Sequence, residues 1–206
     1  MRILRSHDYP ILAWKNGLGV SRVIASHPDS AGFDALTWQV STTTIEASCP
    51  FSSLPGLDRH FMLLEGEGVE LRCRGRNGDP DIVSRIERTF EPFEFRGDWR
   101  TDCRLLGGPV RVFNVMTRRG HASALVRILS VKDPAPLPDA GGGVLIAYTA
   151  AGGIRIDDEG VEVVAMGDAV FVEGAGSRQH SVRATGEAPA CIVTVLLSPA
   201  HSNAGQ

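Results

Sequence analysis

The sequence predicts an all-β chain built as two similar halves. Three observations carry this reading. Gly and Pro are frequent, at 23 and 12 of 206 residues, and they punctuate short β-branched runs. No long segment shows the apolar period of a helix. Three short blocks also recur in the same order, offset by about 80 residues. Gly68-Val69-Glu70-Leu71 resembles Gly153-Ile154-Arg155-Ile156, residues 93–97 resemble 170–174, and residues 109–116 resemble 189–196. About eight short strands per half, with turn signals every 8–12 residues, suit a jelly roll. The predicted architecture is therefore a duplicated cupin, a bicupin of two jelly-roll β-barrels.

The first half, residues 1–120, opens with a strand at 1–4 that Asp8-Tyr9-Pro10 breaks. Trp14-Lys15-Asn16-Gly17-Leu18-Gly19 follows. Its glycines permit a sharp, open backbone path, which serves equally a turn between strands or one wall of a ligand site. Residues 20–25 form the next strand. In the strand at 36–45, Trp38, Val40, Thr42 and Thr44 point one way and Gln39, Ser41, Thr43 and Ile45 the other. Residues 50–56 connect irregularly. An apolar strand at 59–65 ends in Gly66-Glu67-Gly68, a hairpin signal that makes 69–74 its return strand. Strands at 83–90, 93–95, 102–106 and 110–116 complete the half, which closes at Thr117-Arg118-Arg119-Gly120. The second half, residues 121–200, has strands at 126–131, 144–148, 154–156, 161–164, 169–172, 180–183 and 191–197. Residues 201–206 form a small polar tail expected to fray.

Composition excludes several function classes. A formal net charge of −3 without like-charge runs gives no electrostatic case for nucleic acid. No apolar stretch approaches the roughly 18–20 residues of a membrane helix. The N-terminus turns polar too soon for a signal peptide, so the expected compartment is the cytoplasm. Cys49, Cys73, Cys103 and Cys191 are widely spaced, without a C-x-x-C pair, and are expected to be reduced, buried thiols.

The common catalytic signatures are missing. A transition metal needs two or more converging imidazoles or thiolates. His60 and His180 each stand without a His partner at ligand spacing, and packed or solvated histidines are the expectation; no metal and no cofactor are implied. There is no G-x-S-x-G, and Gly17-Leu18-Gly19 lacks the phosphate-loop pattern. What remains is a set of polar residues bedded among apolar ones. Lys15, Asn16 and Arg22 lie in or beside the Gly-rich stretch, Asp58-Arg59 leads into an apolar strand, and Asn114 sits mid-strand. A mid-strand Asn is disfavoured without a hydrogen-bonding task. Two readings stand side by side. Asp58 and Arg59 pair while Asn114 satisfies backbone groups, or one pocket gathers these residues. In the pocket, Lys15 and an Arg bind a carboxylate, Asn16 and Asn114 orient it, and Trp14 or Trp38 covers a flat face.

Four ordered blocks resemble the HutD/Ves family: residues 14–22, residues 50–59 from Pro50-Phe51-Ser52 to Asp58-Arg59, residues 64–68, and residues 102–118 from Asp102-Cys103 to Thr117-Arg118. The resemblance implies a two-cupin fold without an obligatory metal and a link to histidine utilisation. It also implies binding of a pathway small molecule such as urocanate or a formylated glutamate derivative. Matched residue by residue, it makes Trp14, Lys15, Asn16, Arg22, Asp58, Arg59 and Asn114 the site candidates. The family commonly has Gly where this chain has Leu18, and Thr where it has Ser21. Leu18 should therefore avoid a positive φ or carry strain.

The expected function is non-catalytic binding of a small carboxylate that modulates histidine utilisation, in a protein with neither nucleic-acid nor membrane partners and with a homodimer as its possible assembly. The alternative is a cupin-type isomerase or hydrolase acting on a histidine-pathway acid, with Asp58, Lys15 or His60 as acid or base.

Overall fold

The computed structural model describes residues 1–14, 17–75, 78–157, 161–174 and 179–199. Within them the chain is strand and turn, apart from one 3-10 turn at Ser6–Asp8. Among the described residues no helix is long and apolar enough to cross a membrane. The chain divides into two compact units, Pro10–Ala122 and Met1–Tyr9 with Ser123–Pro199.

The first unit contains two antiparallel sheets. One has the order β2 (Ile11–Ala13), β3 (Gly19–His27), β4 (Trp38–Ile45), β11 (Val110–Arg118), β6 (Leu57–Glu65), β9 (Phe93–Arg96). The other has the order β5 (Cys49–Pro50), β10 (Arg100–Leu105), β7 (Val69–Arg74), β8 (Ile82–Ile86). Alternate residues of both sheets meet in one core: Ile45, Phe61, Leu63, Val110 and Val112 from the first, and Cys49, Val69, Leu71, Cys73, Ile86 and Cys103 from the second. This is the two-sheet jelly roll, with each strand inward-facing at every second residue.

The second unit repeats that connectivity. Its sheets run β1 (Arg2–Leu4), β17 (Ala169–Glu173), β14 (Val144–Ala151), β19 (Ala190–Pro199), β12 (Ala122–Val131), and β13 (Ala135–Pro136), β18 (Ser181–Ala184), β15 (Ile154–Asp157), β16 (Val161–Val164). Strands β4 to β11 and β12 to β19 therefore correspond one to one. The three recurring sequence blocks fall on equivalent strands, β7 with β15, β9 with β17, and β11 with β19. The duplicated cupin architecture read from the repeat is the observed one. The second core is gathered from apolar residues such as Leu145, Ala147, Ile154, Ile156, Val170, Val182 and Ile192, with the buried hydroxyls of Thr149 and Thr194 beside them.

Two details differ from the sequence reading. The opening strand, assigned there to the first half, pairs with β17 of the second unit, Ile3 opposite Val170. The expected hairpin at Gly66-Glu67-Gly68 is instead a corner between sheets. β6 pairs with β9 and β11, while β7 pairs with β8 and β10. The glycines are needed for close approach at that corner. Gly68 has φ +109, and a Cβ there would lie 2.5 Å from the Ile86 carbonyl oxygen.

Candidate functional site

The β6 strand changes character along one face. Leu63 and Phe61 belong to the first core, and two residues before Phe61 the same face carries Arg59. Arg59 is 6% exposed. Its guanidinium carbon stands 5.0 Å from the centre of the Phe51 ring and 4.9 Å from that of Phe95, a double cation–π contact. The Nε is sealed from solvent with no acceptor. Burial pulls the Arg59 pKa down to about 10, and the groups that oppose this are the Cys73 and Cys103 thiols, not carboxylates. Burial likewise pushes the Cys103 thiol up to about 12 and raises Cys73 and Cys49. At neutral pH the guanidinium is therefore charged and its thiol neighbours are not.

Asn114 shares this inner face. On β11 it lies opposite Phe61 of β6 and Ser41 of β4, and Met116, two residues on, lies opposite Arg59. Arg59 and Asn114 are thus diagonal cross-strand neighbours. Asn114 is 3% exposed. Its Nδ2 donates to Thr43 Oγ1 at 3.3 Å, and the Thr43 and Ser21 hydroxyls are bonded at 2.9 Å. Ser21 Oγ in turn accepts from Trp14 Nε1 at 3.1 Å. This relay crosses β3, β4 and β11 and ties the Trp14 loop to the barrel interior. Asn114 Oδ1 is buried without a partner.

Trp14 is placed by a hairpin loop. Its N–H donates to the Gly19 carbonyl at 2.9 Å, and Gly17 N–H donates back to the Trp14 carbonyl at 3.0 Å. Gly17 takes the left-handed conformation, φ +71, and Leu18 does not, so Leu18 avoids the strain its side chain would otherwise carry. The Trp14 ring meets Phe51 edge-on at 6.0 Å. A Cβ on Gly19 would come within 2.8 Å of Trp14 Cδ2, so glycine is what admits the ring.

The structure brings Trp14, Arg59 and Asn114 onto one inner face, and it separates two other candidates from them. Arg22 is exposed and lies opposite Thr42, on the reverse face from Ser21 and Thr43. Asp58 also faces away from Arg59, because adjacent strand residues point to opposite sides. Its Oδ1 accepts from Arg119 at 3.1 and 2.6 Å, so the Asp58–Arg59 pair considered from sequence does not form. Trp38 shares that reverse face and stacks on His27. Lys15 and Asn16 lie outside the described residues. Phe51 and Phe95 contact Arg59, and Ser21 and Thr43 link Trp14 to Asn114, but none of the four was among the candidates. The available signal was the polar row Gln39, Ser41 and Thr43 on the core face of β4, all now buried.

The second barrel is an internal control. By register and repeat, the positions of Arg59 and Asn114 correspond to Leu145 and Thr194. Leu145 is core, and the Thr194 hydroxyl donates to the Arg127 carbonyl at 3.2 Å. The fold thus closes at these positions without an unpaired polar atom. Among the described residues, no three His, Cys, Asp or Glu side chains converge as metal ligands.

Two duplicated jelly rolls, the first with a buried cation and a buried amide on its inner face, define a bicupin with a specialised first barrel. The chain belongs to the HutD family, whose profile matches residues 6–191. Among curated relatives it is 34% identical over 116 residues to an uncharacterised 21.2 kDa protein in the hutC 3' region of Pseudomonas putida, covering 56% of this chain and 57% of that protein. It is 31% identical over 120 residues to Protein Ves of Cronobacter sakazakii, covering 58% and 61%. The matched stretch is thus under two thirds of either relative's length. Among solved structures, a conserved protein of unknown function from Pseudomonas aeruginosa superposes with a TM-score of 0.83 at 30% identity, over 96% of this chain and 98% of that one. HutD from Pseudomonas fluorescens does so with a TM-score of 0.75 at 25% identity, with the same coverage. A cupin 2 conserved barrel domain protein from Leptotrichia buccalis, TM-score 0.55 at 11% identity over 91% of this chain and 92% of that one, shares the fold alone.

Proposed function

We propose that this chain is a non-catalytic binding protein whose first barrel holds a small carboxylate, and that its occupancy modulates histidine utilisation in the cytoplasm. The observation that supports this reading most is the Arg59 guanidinium, buried between two aromatic rings with an unpaired Nε. A buried charge without a counter-ion costs stability, and the second barrel fills the same position with Leu145. A carboxylate supplies both the missing charge and the paired acceptors that a guanidinium fork prefers. Phe51, Phe95 and Trp14 offer ring faces and edges to a planar ligand. Urocanate and the formylated glutamate derivatives have these features. Lys15 and Asn16, adjacent to Trp14 in the chain, remain candidates for contacts at the same ligand. The non-catalytic part of the reading rests on Asp58, whose carboxylate is engaged by Arg119 on the far face of β6.

Thermal unfolding in urocanate, formiminoglutamate, formylglutamate, histidine and formate tests this. A ligand at 100 times its Kd should add about 2.7 kcal/mol of stability, and Arg59→Met should remove the gain. Absence of any shift at millimolar concentration with every acid overturns the reading.

A further inference from the structure

Three buried side-chain atoms of the first barrel lack a hydrogen-bond partner among the described residues; His60 Nδ1 lies on the reverse face of β6, and the two on the inner face have opposite chemistry. Arg59 Nε is a donor and Asn114 Oδ1 an acceptor. In the structure the Asn114 amide leaves its oxygen, not its nitrogen, without a partner. Its Nδ2 is engaged by Thr43 Oγ1, which is tied through Ser21 to the Trp14 indole. The two orphan groups sit diagonally across β6 and β11, on positions about 7–8 Å apart in a regular sheet. That separation suits the two polar ends of one small molecule. In the second barrel the equivalent residues leave no such pair, since Leu145 has no polar atom and the Thr194 hydroxyl is bonded to the Arg127 carbonyl.

On the carboxylate reading of this site, we propose that Asn114 determines specificity and that the ligand class is a carboxylate carrying its own N–H or O–H donor, its anionic end on Arg59 and its donor on Asn114 Oδ1. A ligand without the donor would close the barrel over an acceptor that stays unpaired, and a site built to hydrogen-bond a group discriminates strongly against analogues lacking it. Simple carboxylates satisfy Arg59 alone and are the poorer ligands.

Matched probes that differ only in the donor test this. One pair is imidazole-4-acrylate against oxazole-4-acrylate, which replaces the ring N–H by oxygen and keeps the other ring nitrogen. The other is N-formylglutamate against its formyl ester isostere, which replaces the amide N–H by oxygen. Calorimetric titration of the full chain should show the N–H member of each pair binding about tenfold tighter or more. Asn114→Thr installs the residue type found at the equivalent position of the second barrel. It should bring each pair within about threefold while carboxylate binding persists, and Arg59→Met should abolish binding of all four probes. If Asn114→Thr fails to fold, Asn114→Asp keeps an acceptor and should retain the preference at lower overall affinity. Equal affinities in the native chain, or preference for the oxygen isosteres, with binding still dependent on Arg59, would overturn donor selection and leave the carboxylate reading standing. No binding of any probe would overturn both.

Discussion

Asp58 and Arg59 are neighbours in the chain and opposites in the structure. Asp58 points to one side of β6 and accepts two hydrogen bonds from Arg119, which also donates to Asp98 at 2.8 Å. Arg59 points to the other side and is held between Phe51 and Phe95, where the charge-stabilising neighbours among the described residues are the Cys73 and Cys103 thiols. Two residues that look like a pair in the sequence therefore do separate jobs. One braces the loops at the end of the strand, where Asp98 also accepts from the Gly56 N–H. The other carries a charge into the barrel.

Substitution should split these jobs. Arg59→Met keeps the volume and the contact with the rings while removing a buried, unpaired charge. Stability of the ligand-free protein should rise by about 1–3 kcal/mol, the usual cost of an unsatisfied buried polar group. Asp58→Asn affects a bridge whose members are 43% and 40% exposed, so solvent screening limits the loss to about 0.5–1 kcal/mol. Carboxylate binding should disappear in the first variant and persist in the second. Urea unfolding with calorimetric titration of both variants reads the two effects separately, and a destabilised Arg59→Met would contradict the stated cost of the charge.

The Trp14 loop offers a second lever. In Gly19→Ala the new methyl would lie 2.8 Å from Trp14 Cδ2 and 3.0 Å from the Thr44 carbonyl oxygen. The backbone carbonyl cannot yield, so the ring must. Displacing it breaks the Trp14–Ser21 hydrogen bond at the head of the relay that reaches Asn114. The expected cost is about 1–3 kcal/mol, typical of overpacking, with a shifted tryptophan emission and weaker carboxylate binding. Unchanged emission would mean that the ring does not depend on Gly19.

The strands were legible because the local signals agree: β-branched runs bounded by Gly, Pro and Asn set them, and the three recurring blocks placed equivalent strands in both halves. Arg59 and Asn114 were legible because each conflicts with its surroundings, a cation entering an apolar strand and an amide in the middle of another. Arg22 and Asp58 were misplaced because membership of a face depends on parity. One step along a strand reverses direction, and the composition of a short stretch does not reveal which residues share a side. The corner at Gly66-Glu67-Gly68 failed for a related reason. Two glycines around one polar residue permit either a hairpin or a change of sheet, and the partners of β7, further along the chain, decide between them.

Acid should expose His60. It is 8% exposed, on the reverse face of β6, with Nδ1 3.2 Å from Glu94. Burial pulls its pKa below the ordinary value, and the nearby Glu94 and Asp58 carboxylates only partly oppose this. Between the lowered folded value and the ordinary value of about 6.5, the unfolded chain binds more protons than the folded one. Stability from the neutral, buried ring is thus intact above about pH 6.5 and lost as pH falls towards the folded value. Urea midpoints measured from pH 8 to pH 5 should decline in the native chain and flatten in His60→Gln. Parallel curves would assign the decline to other groups.

Asp168 should control how firmly the N-terminal strand stays on the second barrel. The carboxylate is 5% exposed. Its Oδ1 accepts the Ser6 N–H at 2.8 Å and its Oδ2 accepts Arg5 Nη1 at 3.0 Å, while Arg5 also donates to the Val163 carbonyl at 2.8 Å. Burial pushes the Asp168 carboxyl up, but the Ser6 N–H and the Arg5 guanidinium together outweigh it and hold the pKa below the usual range. The bonds therefore contribute stability above the ordinary carboxylate value of about 3.9, and this is lost as pH falls through the lowered folded value. Asp168→Asn keeps the shape and removes the charge, at a cost of about 1–3 kcal/mol for charge-assisted hydrogen bonds, one of whose partners is 35% exposed. Because β1 is an edge strand paired only with β17, the loss should be local before it is global. Amides of Arg2–Leu4 should exchange with deuterium faster in the variant, while those of β14 and β19 keep their protection. Equal protection of β1 in both proteins would show that strand pairing with β17, rather than the Arg5–Asp168 clamp, holds the N-terminus in place.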